Sequence, residues 1–131
     1  MRRFSKRRSA LNLAAQPVRD EFRAANPRCQ YPGCTRPGED IHEIARGGGR
    51  SGALMEPAAL LHFCRKHHDL EHGSSGNAIV RQLAYKVLSL DGSYDRRRVN
   101  ELRGRQPDAI TEMEVLREVK RIVNVFGGWP E

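Results

Sequence analysis

The clearest hydrophobic periodicity lies in the last third of the chain. Ile79, Val80, Leu83, Val87 and Leu88 recur at helical spacing, with Asn77 as the candidate N-cap and Asp91-Gly92 as the stop. Tyr94 to Leu102 predicts a short second helix carrying Arg96, Arg97 and Arg98. Pro107 and Asp108 open the last predicted helix. Ile110, Met113, Leu116, Val119, Ile122, Val123 and Phe126 form its apolar stripe, and Gly127-Gly128 ends it. Such stripes predict core packing. Upstream, Val18 and Phe22 are four apart and share a face, which predicts a short helix from Pro17 to Ala25. Proline is tolerated in a first turn, and Asn26-Pro27 stops the helix because the residue before proline is driven out of the helical region. Asp40 to Ile44 and Leu60 to Phe63 are short runs that predict two strands. Between them, Arg46 to Gly52 holds four glycines in seven residues and predicts a loop whose backbone a ligand can approach closely. From Arg65 the chain has helical character until Gly73, and the Gly73-Ser74-Ser75-Gly76 break closes the module.

These elements divide the chain into a basic arm and short helix over 1–25, a compact module over 26–75, and a helical segment over 76–131 that packs on it. The first nine residues include five Arg or Lys and no apolar repeat, which suits an arm tracking phosphates. Composition adds constraint. The chain has 131 residues, is 38% hydrophobic and 30% charged, and is expected to have a core small enough to need a staple. No long apolar run predicts a membrane span, and no apolar region follows the basic N-terminus to make a secretory signal. A net charge of +7 suits either nucleic acid as partner, through phosphate neutralisation, or a solvated basic face. Three cysteines cannot form a closed disulfide set, and their grouping with histidines favours metal in a reducing, cytoplasmic setting.

All three cysteines and all five histidines lie between Cys29 and His72. They separate into two sets. Cys29 and Cys34 are a C-x4-C pair around the Pro32-Gly33 turn, and Cys64 and His67 are a C-x2-H pair entering a helix. Two close pairs of soft or borderline ligands suit a closed tetrahedral zinc site. The second set is His68 and His72, four apart on one helical face, with His42 on the preceding strand as a third ligand for another ion. His62, inside an apolar strand, reads as a packed histidine.

The segment from Cys29 to His72 resembles the HNH endonucleases, a group of ββα-metal nucleases. Zinc-containing members carry a cysteine pair and then a strand with a His-His or Asp-His doublet. They end in Cys-x2-Cys-His-x3-His or a close variant. Here Ile41-His42-Glu43-Ile44 falls at the doublet, and Cys64-x2-His67-His68-x3-His72 falls at the terminal motif, with His67 in place of the last cysteine. The resemblance covers about a third of the chain. It implies an α+β fold: a small zinc-stapled ββα-metal core with flanking helices and a mostly α-helical C-terminal segment. Structural Zn²⁺ falls to Cys29, Cys34, Cys64 and His67, and one catalytic divalent ion (Mg²⁺, Mn²⁺, Ni²⁺ or Zn²⁺) to His42, His68 and His72. Two positions depart from the pattern. Glu43 stands at the usual histidine base, so the base is either Glu43, at a raised pKa, or His42. Ala59 stands where zinc-containing members carry the asparagine of an Asn-Leu pair between the doublet and the terminal motif, and it offers no side-chain hydrogen bond.

The resulting expectation is a metal-dependent endonuclease or nickase acting on double-stranded DNA. Its catalytic residues are His42, Glu43, His68 and His72, and the phosphate backbone is held by the arm, Arg46, Arg50 and Arg96, Arg97 and Arg98. The alternative is a zinc-stabilised nucleic-acid-binding module without cleavage, motivated by Glu43 and Ala59. Target sequence and oligomeric state are not encoded in these motifs.

Overall fold

The computed structural model describes residues 6–44, 56–72 and 78–126. Asn77, Gly127, Gly128 and the loop bearing Arg46 and Arg50 lie outside them, as do the first five residues. The described chain is α+β, with a two-stranded antiparallel sheet and five α-helices.

The first helix, α1, runs from Lys6 to Ala25. It begins eleven residues before the expected start and carries Pro17 in its interior. The segment before Pro17 is rich in Ala, Leu, Arg and Gln, all strong helix formers, so one missing backbone donor does not end the helix. Ala15 and Phe22 are buried along one side, with Val18 half-buried between them. The helix stops at Asn26, as expected, where both the backbone N–H and the side-chain amide of Asn26 donate to the Phe22 carbonyl.

Strand β1 spans Asp40–Glu43 and pairs with β2, Leu60–Phe63, in the register Asp40↔Phe63, Ile41↔His62, His42↔Leu61 and Glu43↔Leu60. A short 3-10 turn, Pro57–Ala59, leads into β2. Side chains directly opposite in an antiparallel pair share a face, which gives the hairpin two distinct sides. Ile41, Glu43, Leu60 and His62 share one side. Ile41 and Leu60 pack there with Phe22 of α1. Asp40, His42, Leu61 and Phe63 share the other, where Leu61 and Phe63 join the main core. All four residues of β2 are buried, because helices cover both of its faces. Gln30 closes the free edge of β2: its N–H donates to the His62 carbonyl and its Oε1 accepts from the His62 N–H, each at 2.8 Å.

Helix α2, Arg65–Glu71, follows β2 directly, and α3, Ala78–Leu88, packs along α5, Glu112–Phe126, with the short α4, Arg96–Leu102, between them in sequence. Leu83, Ala84, Tyr85, Val99, Ile110, Val115 and Ile122 form the helical half of the core. Helix α4 begins two residues later than expected, at its Asp95 cap, whose carboxylate accepts the Arg98 N–H at 3.0 Å. Helix α5 also starts later, beyond Pro107 and Asp108. Thr111 supplies the start: its hydroxyl accepts the Glu114 N–H at 3.2 Å, and the Glu114 carboxylate accepts the Thr111 N–H at 3.0 Å. This reciprocal pair satisfies donors that Pro107-Asp108 leaves to other work. Among the described residues no helix is long and apolar enough to cross a membrane.

Candidate metal centre

The knuckle from Cys29 to Cys34 lies against the start of α2. Its turn is fixed by the Cys34 N–H donating to the Tyr31 carbonyl at 3.1 Å, with Gly33 at φ 77°, a conformation costly for residues bearing a Cβ. The Cys29 N–H donates to the Arg36 carbonyl, closing the loop behind it. Cys64 caps α2, and His67 sits one turn into that helix. Donor atoms of Cys29, Cys34, Cys64 and His67 all lie within 4.8 Å of one another. The Nδ1 of His67 is 3.2 Å from Cys64 Sγ and 3.5 Å from Cys29 Sγ. A tetrahedral zinc with arms near 2.3 Å to sulfur and 2.1 Å to nitrogen needs S···N edges of about 3.5 Å, so these residues fit the ion and could bind it.

The surroundings orient the set. Tyr31 stacks on the His67 ring at 4.0 Å and 6° between planes, and tilts against Tyr85. Glu71, buried one turn beyond His67, accepts from Arg81 and Gln82 of α3 and so ties α2 to α3. Burial pushes the Cys29 thiol up to about 12, with the Cys34 sulfur adding to the effect and backbone hydrogen bonds opposing it. Burial also lowers His67, helped by the positive charges of Lys66 and Arg36 and opposed by Glu71. The imidazole therefore stays neutral and able to ligate, whereas Cys29 needs a cation beside it to become thiolate.

The second set is arranged differently. His42 and His68 have ring centroids 5.5 Å apart, and His68 and His72 5.6 Å apart, forming a chain of rings across the hairpin and α2. His72 does not lie within the helix: α2 ends at Glu71 and His72 is its extended cap, although its N–H still reaches the His68 carbonyl at 2.9 Å. His42 is buried, His68 half-buried and His72 exposed. Among the described residues only the Cys/His group has three or more such donor atoms already converged. His68 Nδ1 is buried without a hydrogen-bond partner among the described residues. Glu43 lies on the opposite side of the hairpin from His42, with a carboxylate oxygen 3.5 Å from the Arg19 guanidinium of α1. Asp40, on the histidine side, accepts from Arg65 at 2.6 and 3.2 Å.

His62 is packed, as its apolar setting predicts. Its Nδ1 lies 2.7 Å from the Asn26 carbonyl, and its ring fills the space beside Gly38 so closely that a Cβ there would stand 2.4 Å from it. Ala59 is fully buried and contributes through its backbone, its carbonyl accepting the Ile44 N–H at 2.8 Å. The three arginines of α4 differ. Arg96 is largely enclosed and engages Asp108, Glu112 and the carbonyls of Pro107 and Ile110. Arg97 lies 3.7 Å from Asp108, and Arg98 lies against Glu56 and Glu101. Tyr31, Glu71 and Arg81 carry no motif signal in the sequence. Tyr31's place inside the cysteine pair is the one hint of its role. Comparison of the chain with protein-family models, curated proteins and solved structures found no match.

Proposed function

We propose that the chain is a metal-dependent endonuclease of the HNH type, acting on the phosphodiester bonds of double-stranded DNA, with a ββα-metal core stapled by zinc. The observation that supports it best is the His42–His68–His72 chain of rings beside the Cys/His group, with His68 Nδ1 buried and unpartnered. Two imidazoles sharing one ion have centroids about 5 Å apart, close to the spacing seen here. A divalent ion held by these three residues would supply Lewis-acid stabilisation of phosphate charge.

The protein's own residues divide the remaining work. Cys64 and His67 anchor the first turn of α2, so metal at the Cys/His group fixes the helix that carries His68. His42 comes from the strand paired to β2, and Phe63 against its ring sets its position. Glu43 lies across the hairpin from His42, against Arg19, and His42 shares a side with His68, so this reading gives the base role to His42. Plasmid nicking with Mn²⁺ or Mg²⁺ tests the reading. The parent chain should nick, His68→Ala should lose at least a hundredfold in rate, and Glu43→Gln should stay within about threefold. Equal nicking by the parent and His68→Ala would sink it.

A second reading has its own support. Ala59 provides no hydrogen-bonding side chain at the middle motif position, and Glu43 is turned to α1. Both suit a zinc-stabilised module that binds nucleic acid without cutting it. DNA binding with no cleavage under any divalent ion would select that reading.

A further inference from the structure

The arginines of the helical segment separate by what they touch. Arg81, Arg96, Arg97, Arg98 and Arg121 each lie against a carboxylate. Arg103 and Arg105 pair with none among the described residues. Arg103 is half-buried, and the charge that bears on it is Arg105: burial first, then that like charge, lowers its hold on its proton. Two uncompensated cations side by side, one partly stripped of water, repel each other in the free protein.

The backbone between them is fixed. Arg103, Gly104 and Arg105 form the turn that ends α4, with Gly104 at φ 75°. The Arg103 N–H donates to the Val99 carbonyl, and the Arg105 N–H to the Asn100 carbonyl at 2.9 Å. Asn100, fully buried, then pins the far side: its amide donates to the Pro107 and Ile110 carbonyls at 2.7 and 3.1 Å and its oxygen accepts the Ile110 N–H. The turn is therefore fixed before any ligand arrives, and an anion that neutralises both guanidiniums binds without loop-ordering cost.

Its location matters as much. Leu102, the residue before the turn, packs on Ala59. Ala59 bonds Ile44 at the end of β1, and Arg98 on the same helix reaches Glu56. The turn thus sits at the end of the hairpin where the chain leaves β1 and returns to β2. We infer that Arg103 and Arg105 form a phosphate-binding corner that holds the DNA backbone beside the hairpin. This rests on the nucleic-acid part of the reading above, not on cleavage. Arg96, occupied by carboxylates and carbonyls, has no part in it.

The test is fluorescence anisotropy of the zinc-loaded chain with a labelled DNA duplex, across a salt series and without added Mg²⁺ or Mn²⁺. An Arg103→Gln/Arg105→Gln variant should bind about tenfold more weakly at 0.15 M salt, and its plot of log affinity against log salt should be shallower by about two. Arg117→Gln, at an exposed arginine on α5 with no ion pair among the described residues, should change neither, and Arg103→Lys should keep most of the slope. Melting temperatures within a few degrees of the parent establish that the variants are folded. Unchanged affinity in the double variant, a loss with an unchanged salt slope, or an equal effect from Arg117→Gln overturns the corner. Failure of the parent to bind DNA overturns both the corner and the nucleic-acid reading. Binding without nicking overturns only the nuclease.

Discussion

Lys86 is the residue that departs furthest from its usual behaviour. It lies on α3 with its side chain wholly buried, and its ammonium meets Asp91 and the Leu60 carbonyl at 2.7 Å and the Pro57 carbonyl and Ser93 hydroxyl at 3.0 Å. Gln30 donates to the same Asp91 oxygen at 2.9 Å. One polar knot thus joins the knuckle, the start of β2, α3 and the turn after α3. Burial lowers Lys86 to about 8 despite Asp91's charge. Burial pushes Asp91 upward, but the ammonium of Lys86 and hydrogen bonds from Lys86, Ser93 and Gln30 outweigh it, and its carboxyl ends below the usual range. A depressed folded pKa gives stability that is present above the unfolded value near 3.8 and lost as pH falls through the folded one. Asp91→Asn should cost about 3 to 5 kcal/mol near neutral pH, because it strands a buried ammonium. Urea melts of the variant should also show a flatter loss of stability below pH 4 than the parent shows. The sequence hides all of this. Asp91-Gly92 reads as a helix stop, and nothing in the pattern marks Lys86 beside Val87, because periodicity ranks residues by type and cannot see which partners surround a charge.

At the scale of elements, legibility followed the source of each signal. Both strands and the start of α2 were legible within a residue or so, because an apolar run bounded by turn residues fixes its own ends. Helix starts were not. In α1, Pro17 looked like an opening residue, and the small Ala15, one turn before Val18, is too weak a marker to extend the stripe. In α5, Pro107-Asp108 reads as the start, whereas Thr111-x-x-Glu114 is the reciprocal cap the helix uses. Asp108 is drawn off to Arg96 instead. Thr111→Ala should therefore destabilise the protein by about 1 kcal/mol, whereas Asp108→Ala, with its side chain mostly exposed, should cost less than half of that. Chemical denaturation of the two variants side by side checks the order. The candidate metal ligands were the most legible part of the site, since C-x4-C and C-x2-H are local spacings. The orientation of Glu43 was not, since which face of a strand meets which helix depends on pairing across the chain.

For the molecule as a whole, a metal at Cys29, Cys34, Cys64 and His67 would link the knuckle to α2, and through Tyr31 and Glu71 to the helical core. Elemental analysis of purified protein should find one zinc per chain, and a strong chelator should lower the melting temperature by ten degrees or more. A Cys34→Ser/Cys64→Ser variant should start from that lowered temperature and not respond to the chelator. The ligands also come as two local pairs separated by a stretch that includes both strands. Bringing the pairs together closes a loop of about 35 residues, an entropic cost on the order of 3 kcal/mol. If either pair takes up the ion before that loop closes, metal capture precedes hairpin pairing during folding. Refolding should then proceed at a rate set by zinc concentration, and the order in which ion and chain meet becomes part of how this protein reaches its native state.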